Sequence, residues 1–335
     1  MKKLVHHDIH TLQDESHGLL ADVAPEGVPW NQLVSVAVML YHWGLASDYG
    51  NMMPLLHTFR QAHGHHLYEQ DGSLMDQLMA QWPISDDRPR IWACYHIGPY
   101  GLMTRALLQR RHRVAVLLKD EVYAAQYPVY HRVFAQCFGR PPETTELRFI
   151  RSGTPTCMLQ LKQAVQDGMH VLCYIDGDEG GETTKGTVAI RMHGVPLRVR
   201  YGIAVLAQWT GVPIRPLLLY RDAQRLHLHS DADYTLHDKS EYCTTMQQLF
   251  ALPESLDART LMQWETLPGL PARVRWDEPS KMRLPPLWMP LEGGENLLFD
   301  LATLSVIRVP PEEHGIIGQR MQELLHSCSD PKNSR

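Results

Sequence analysis

Three mainly apolar runs constrain this chain most: HRVAVLLK (112–119), HVLCYID (170–176) and VPIRPLLLY (212–220). A half-exposed strand alternates apolar and polar residues. Continuous runs of this length predict strands buried on both faces. Shorter strands are predicted at RIWACYH (90–96) and LRFI (147–150). Segments with helical spacing lie between them: PYGLMTRALLQRR (99–111), AQYPVYHRVFAQCFG (125–139), TPTCMLQLKQAVQDG (154–168) and GIAVLAQWTG (202–211). Strand, helix and strand within about thirty residues is a βαβ unit. Its repetition predicts an α/β fold, with a mostly parallel central sheet flanked by helices. TVAIRMHGVPLRV (187–199) reads as a hairpin, and QRLHLHS (224–230) as an outer strand that turns His227 and His229 to one side.

On either side of this core the pattern changes. Residues 1–90 read as a polar-rich helical region packing on the core, with helices near 29–46 and 51–68, closed by the turn-rich QWPISDDRPR (81–90). Residues 91–240 form the α/β core. Residues 241–335 read as a proline-rich arm (267–290) and a small module, with a hairpin at 296–309 and a helix at 314–327. At 335 residues, 44% hydrophobic and 21% charged, the chain can bury a large core. A net charge of −5 gives no general reason for nucleic-acid binding. The six cysteines include no C-x-x-C pair, which predicts a reducing compartment. The start of the chain lacks the apolar core of a signal peptide, and the apolar run Leu33 to Leu40 is too short to span a bilayer. The expectation is a cytoplasmic protein, with peripheral contact at the inner membrane face as the alternative. The nineteen histidines cluster at 6, 7, 10, at 63, 65, 66, and at 227, 229. None of these has a recognised ligand spacing, so no metal is expected.

One histidine stands apart. In CYHIGPYGLM (94–103), His96 ends a predicted strand and a Gly-Pro turn follows. In a doubly wound sheet, ligands bind at the carboxyl ends of the strands. Asp176 ends another predicted strand, and the two side chains share an edge if those strands are parallel. A helix starting near Pro99 would direct the backbone N–H groups of Gly98, Tyr100 and Gly101 at whatever His96 handles, an oxyanion site.

The order of these elements resembles the late acyltransferases of bacterial lipid A biosynthesis, within the lysophospholipid acyltransferase superfamily. The resemblance spans roughly residues 90–225. It rests on His96-Ile97-Gly98, FIRSG (149–153), YIDGDEGG (174–181), MHGVP (192–196) and GIAVLAQWTGVPIRPL (202–217), in that order. It implies a glycerolipid-acyltransferase-like fold and an acyltransferase with His96 as general base. An acyl or aminoacyl group would pass from the phosphopantetheine thioester of a carrier protein or coenzyme A to a hydroxyl or amine. No tightly held cofactor is implied. Lys119, Arg151 and Gly194 are the implied substrate-binding residues, and Arg105 and Arg198 join them on charge. Acyl or peptidyl carrier proteins are acidic and coenzyme A is polyphosphorylated, so the basic run of Arg105, Arg110, Arg111, Arg113 and Lys119 would suit either donor. The acceptor would be a small molecule or a lipid.

The chain departs from the family where the chemistry is most exacting. The family's acid falls five residues after the histidine, and here that position is Gly101. Losing the carboxylate that orients a catalytic histidine costs about 10⁴ in rate in hydrolytic triads. An enzyme therefore needs another acid, and Asp176, Asp178 and Glu179 are the candidates. Without one, the chain would be a carrier- or lipid-binding pseudoenzyme. With water as acceptor, the same site would make a thioesterase.

Overall fold

The computed structural model describes residues 28–62, 72–83, 86–177, 185–222, 225–276, 285–291 and 296–327. The histidines at 6, 7, 10 and at 63, 65, 66 lie outside these residues, as do Asp178, Glu179 and the middle of the proline-rich segment. Among the described residues two helices come first, α1 (Trp30–His42) and α2 (Tyr49–Ala62), then α3 (Gly72–Ala80). The alternating region follows as β1 (Ile91–Cys94), α4 (Leu102–Gln109), β2 (Val114–Leu118), α5 (Asp120–Phe138), β3 (Leu147–Arg151), α6 (Cys157–Gln166) and β4 (His170–Tyr174). A hairpin, β5 (Thr187–Met192) and β6 (Val195–Arg200), leads to α7 (Gly202–Thr210), β7 (Ile214–Arg221) and β8 (Leu226–Ser230).

Six of these strands form one mixed, mostly parallel sheet in the order β3-β2-β4-β1-β7-β8. All neighbours are parallel except β7 and β8, which pair antiparallel. The continuous apolar runs lie where their composition requires: β2, β4 and β7 are interior strands, as is the shorter β1, which is buried at every position. Trp92 and Cys94 point into a core shared with Leu74 and Leu78 of α3, Leu102 and Leu107 of α4, and Phe134 of α5. On the other face, the Tyr95 hydroxyl donates to the Leu249 carbonyl at 2.5 Å. Each helix returns the chain to the start of a parallel strand, so the carboxyl ends of β1, β2, β3, β4 and β7 share one edge.

Helix α5 begins five residues before the predicted segment. Asp120 and Glu121 fill its first turn, where the helix dipole favours negative charge, and Gly139 closes it at φ 70°. His227 and His229 do face one side of β8, both rings packing on Tyr220 at 4.7 and 5.0 Å.

The chain divides into two compact units, and the divisions do not follow the boundaries predicted at 90 and 240. One unit holds the described residues of His65–Ile190 and Arg198–Leu256. It takes in α3 because Gln77 and Gln81 hydrogen-bond the backbone of β8. It also takes in α8 (Tyr242–Glu254), which packs on β7. The other unit holds the described residues of Met1–Gly64, the hairpin tip Arg191–Leu197, and Asp257–Arg335. Its helices α1 and α2 are tied to the far end of the chain: Trp30 Nε1 donates to the Pro290 carbonyl at 2.5 Å, and Tyr49 to the Trp288 carbonyl at 2.6 Å. The sequence from 267 to 290 is not simply an arm. It contains a 3₁₀ turn at Leu267–Arg273, with Leu267 and Leu270 fully buried three residues apart, and the strand β9 (Trp288–Pro290). β9 joins the predicted hairpin, β10 (Leu297–Asp300) and β11 (Ser305–Arg308), in a three-stranded sheet. The apolar run Leu33 to Leu40 belongs to α1 and is core: Val36, Ala37, Met39 and Leu40 are fully buried. Among the described residues, no helix is long and apolar enough to cross a membrane.

Candidate active site

β1 and β4 are adjacent and parallel, with Cys94 opposite Tyr174. The Ile175 N–H carries the ladder one step further, donating to the Cys94 carbonyl at 2.9 Å. Continuing in register, residue 96 falls opposite residue 176. There the Asp176 carboxylate accepts twice from one residue: from the His96 backbone N–H at 2.9 Å through Oδ2, and from His96 Nδ1 at 2.8 Å through Oδ1. A carboxylate offers only acceptors, so the proton of this bond sits on Nδ1, and Nε2 is the nitrogen able to take another. Asp176 is fully buried, whereas the His96 side chain is 23% exposed, so reagents reach the ring and not the carboxylate.

Two tyrosines flank the imidazole. The Tyr174 ring lies 4.6 Å from it, inclined by 30°, and the Tyr100 ring meets it edge-on at 4.9 Å. The Tyr174 hydroxyl donates to the Tyr100 carbonyl at 3.0 Å. Nearby Cys94 is no rival nucleophile: burial, then Cys173 and the Asp176 charge, push its thiol well above the ordinary range.

The turn after His96 differs from the expected helix start. Gly98 has φ 59°, and the Tyr100 N–H closes back on the Gly98 carbonyl at 2.9 Å. Leu102 and Met103 donate to the Pro99 and Tyr100 carbonyls, and α4 begins only at Leu102, with Gly101 as its N-cap. Pro99 is thus not the first helical residue, and the Tyr100 N–H is engaged within the turn. The left-handed glycine tightens the turn and delays the helix by three residues. Of the expected oxyanion donors, the amides of Gly98 and Gly101 remain. Ile97, fully buried, anchors the segment between them and His96.

The other predicted binding residues do not gather as one face. Lys119 stands at the carboxyl end of β2, the same edge as His96. Arg151 ends β3 at that edge too, with its guanidinium on Asp120 at 2.7 Å and over the Tyr123 ring at 5.7 Å. The rest of the basic run is carried away, because α4 runs back towards the amino edge, about 12 Å over its eight residues. Arg110 caps its far end, and Arg111 lies over Phe138 at the end of α5. Arg113 donates at 2.7 Å to the carbonyls of Thr145 and Asp167, in the segments leading to β3 and β4. Arg105 sits midway along α4. Burial pushes the Cys137 thiol up, and the Arg105 charge offsets part of that rise. Gly194 forms, with His193, a two-residue hairpin turn at φ 79° and 47°, the left-handed pair that a tight hairpin requires. That turn belongs to the other unit, whereas Arg198 is exposed on β6.

Among the described residues, no group of three or more His, Cys, Asp or Glu side chains is arranged to hold a metal ion. Sequence reasoning missed Tyr174 as a neighbour of His96. The available signal was strand alternation in YID (174–176), which puts residue 174 on the same face as Asp176. No protein-family model matches the chain, and no curated protein sequence matches it.

Proposed function

We propose that the chain is an acyltransferase with a glycerolipid-acyltransferase-like fold, using His96 as general base and Asp176 as the residue that orients it. The observation that carries this reading is the two-point hold of the buried Asp176 on His96. It supplies from β4 the carboxylate that Gly101 does not provide. A pseudoenzyme has no need of a buried acid kept on a partly exposed histidine.

In the proposed reaction, a hydroxyl or amine acceptor gives its proton to His96 Nε2 as it attacks the thioester carbonyl. The Asp176 carboxylate stabilises the imidazolium that forms. The amides of Gly98 and Gly101 are the donors proposed for the oxyanion. When the tetrahedral intermediate collapses, the carbon–sulfur bond breaks and the imidazolium proton passes to the leaving thiolate. The products are an ester or amide and a free phosphopantetheine thiol. No serine or cysteine nucleophile takes part.

Lys119, at the same sheet edge, is the cation best placed for a donor phosphate. The donor is a carrier-protein or coenzyme A thioester, and the acceptor a small molecule or a lipid. A cytoplasmic site of action, with or without peripheral membrane contact, suits such donors.

The test is intact-mass screening of acylated carrier proteins and acyl-coenzyme A against hydroxyl and amine acceptors. Thioester consumption with a new acylated product, abolished in His96→Ala, is the expected result. Thiol release without an acylated product would make the protein a thioesterase. Consumption at an undiminished rate by His96→Ala would defeat both.

A further inference from the structure

We propose that Tyr174 is a positioning residue for the His96–Asp176 pair. The inference deepens the function proposed above and rests on His96 being the base. Tyr174 is the last residue of β4, two before Asp176, and sits in register with Cys94, two before His96. Strand alternation therefore puts its side chain on the face where the imidazole lies, with its ring against it at 4.6 Å.

The two bonds to Asp176 fix Nδ1 and the backbone of His96, and aromatic rings flank the imidazole itself. The Tyr174 ring closes one side of the imidazole and Tyr100 another. The two tyrosine rings also meet each other, at 5.3 Å and 71°. The Tyr174 hydroxyl does separate work. Donated to the Tyr100 carbonyl at 3.0 Å, it ties the turn after His96 to β4. Gly101 has no side chain with which to hold that turn. The tie holds in place both the second aromatic wall and the amides of Gly98 and Gly101. With its hydroxyl donated to Tyr100, Tyr174 itself need not touch the reacting atoms.

Two variants separate the contributions of ring and hydroxyl. Tyr174→Phe keeps the ring and removes the tie. Tyr174→Leu removes both. The tautomer and titration of His96 are read by nitrogen NMR of the full chain with labelled histidine, its signal assigned by its loss in His96→Gln.

In the wild type, the signal should be that of the Nδ1–H tautomer. Tyr174→Phe should keep that tautomer and lower kcat about 3- to 10-fold with KM unchanged, as expected for one neutral hydrogen bond. Tyr174→Leu should give mixed tautomers and lower kcat about 10²-fold, the cost of a base misplaced by about an ångström. A folded Tyr174→Leu protein with the wild-type tautomer and titration midpoint would overturn the proposal. So would a Tyr174→Phe protein whose KM rises while kcat holds. If the wild type consumes no thioester, the acyltransferase reading fails, and the NMR comparison still decides whether Tyr174 positions the ring.

Discussion

Strand β4 begins with His170 and is followed, two residues past its end, by Asp176, so the two edges of the sheet can be compared along one strand. At the amino edge, His170 is 2% exposed, and its Nδ1 accepts from Trp92 Nε1 at 3.0 Å and from the Arg90 N–H at 3.2 Å. The His112 ring lies 4.1 Å from it, inclined by 38°. Burial, then the His112 and Arg90 charges, bring its pKa down to about 3, against the weaker upward pull of the Asp87 carbonyl and the Asp86 charge. At the carboxyl edge, His96 is partly exposed and its Nδ1 meets an acceptor. Donors aimed at a ring nitrogen hold a histidine neutral and make it a structural part. A carboxylate prepares it to take up a proton. Neither histidine's role follows from burial alone. The sign of its partners decides.

The sharpest way to break this comparison is at the carboxyl edge. His96→Ala and Asp176→Asn should each lower kcat for thioester consumption by about 10³–10⁴. The double variant should fall little further, because base and orienting acid act as a unit. Steady-state kinetics with the donor identified by mass screening checks this. Additive losses would mean that Asp176 acts elsewhere.

His170→Asn tests the other edge. At neutral pH, its turnover should stay within about twofold of wild type. Its effect lies in the pH dependence of stability. The folded-state pKa of His170 is depressed below its ordinary value of 6.5. The unfolded chain therefore binds the extra proton between about pH 6.5 and 3. The stabilisation from a neutral His170 is complete above pH 6.5 and is lost as the pH falls through that window. Between pH 7.5 and 4.5 it amounts to roughly 2–3 kcal/mol. Urea unfolding at the two pH values should show the wild type losing about that much more stability than His170→Asn. Equal losses would remove His170 from the account.

Trp92→Phe is the mildest change. It takes away one donor to Nδ1 while keeping most of the buried ring. The expected cost is about 1 kcal/mol at pH 7, read from the denaturation midpoint. The acid loss of stability should end at higher pH and be smaller in total, because one of the contacts that oppose protonation is gone and the folded-state pKa of His170 rises towards its ordinary value.

Much of the fold was legible because it depends on local pattern. The runs VAVLL, VLCY and PLLLY are apolar at both strand faces, and no helical or alternating period suits them. They became β2, β4 and β7. What misled was direction and reach. Arg110, Arg111 and Arg113 stand close to His96 in the sequence, but the helix between them runs to the opposite edge of the sheet. The pattern after residue 240 was obscure because short turns such as Leu267–Arg273 bury too few residues to show a period. The link between the two ends of the chain was invisible for another reason. Trp30, Tyr41 and Tyr49 hydrogen-bond backbone carbonyls of Pro290, Pro285 and Trp288, and a carbonyl carries no residue-specific signal.

By itself the sequence determined that a mostly parallel α/β sheet would form, that His96 and Asp176 would each stand at the end of a strand, and that the turn after His96 would lack a carboxylate. Composition and periodicity suffice for that, since burial on one or two faces is a property of each segment alone. Only the tertiary structure decided that β4 would lie beside β1 in the register that sets residue 176 against residue 96, eighty positions on. Strand order depends on which apolar faces meet, and no segment carries that information alone. It is this pairing that brings a buried carboxylate to His96, and with it Tyr174 comes to lie against the histidine.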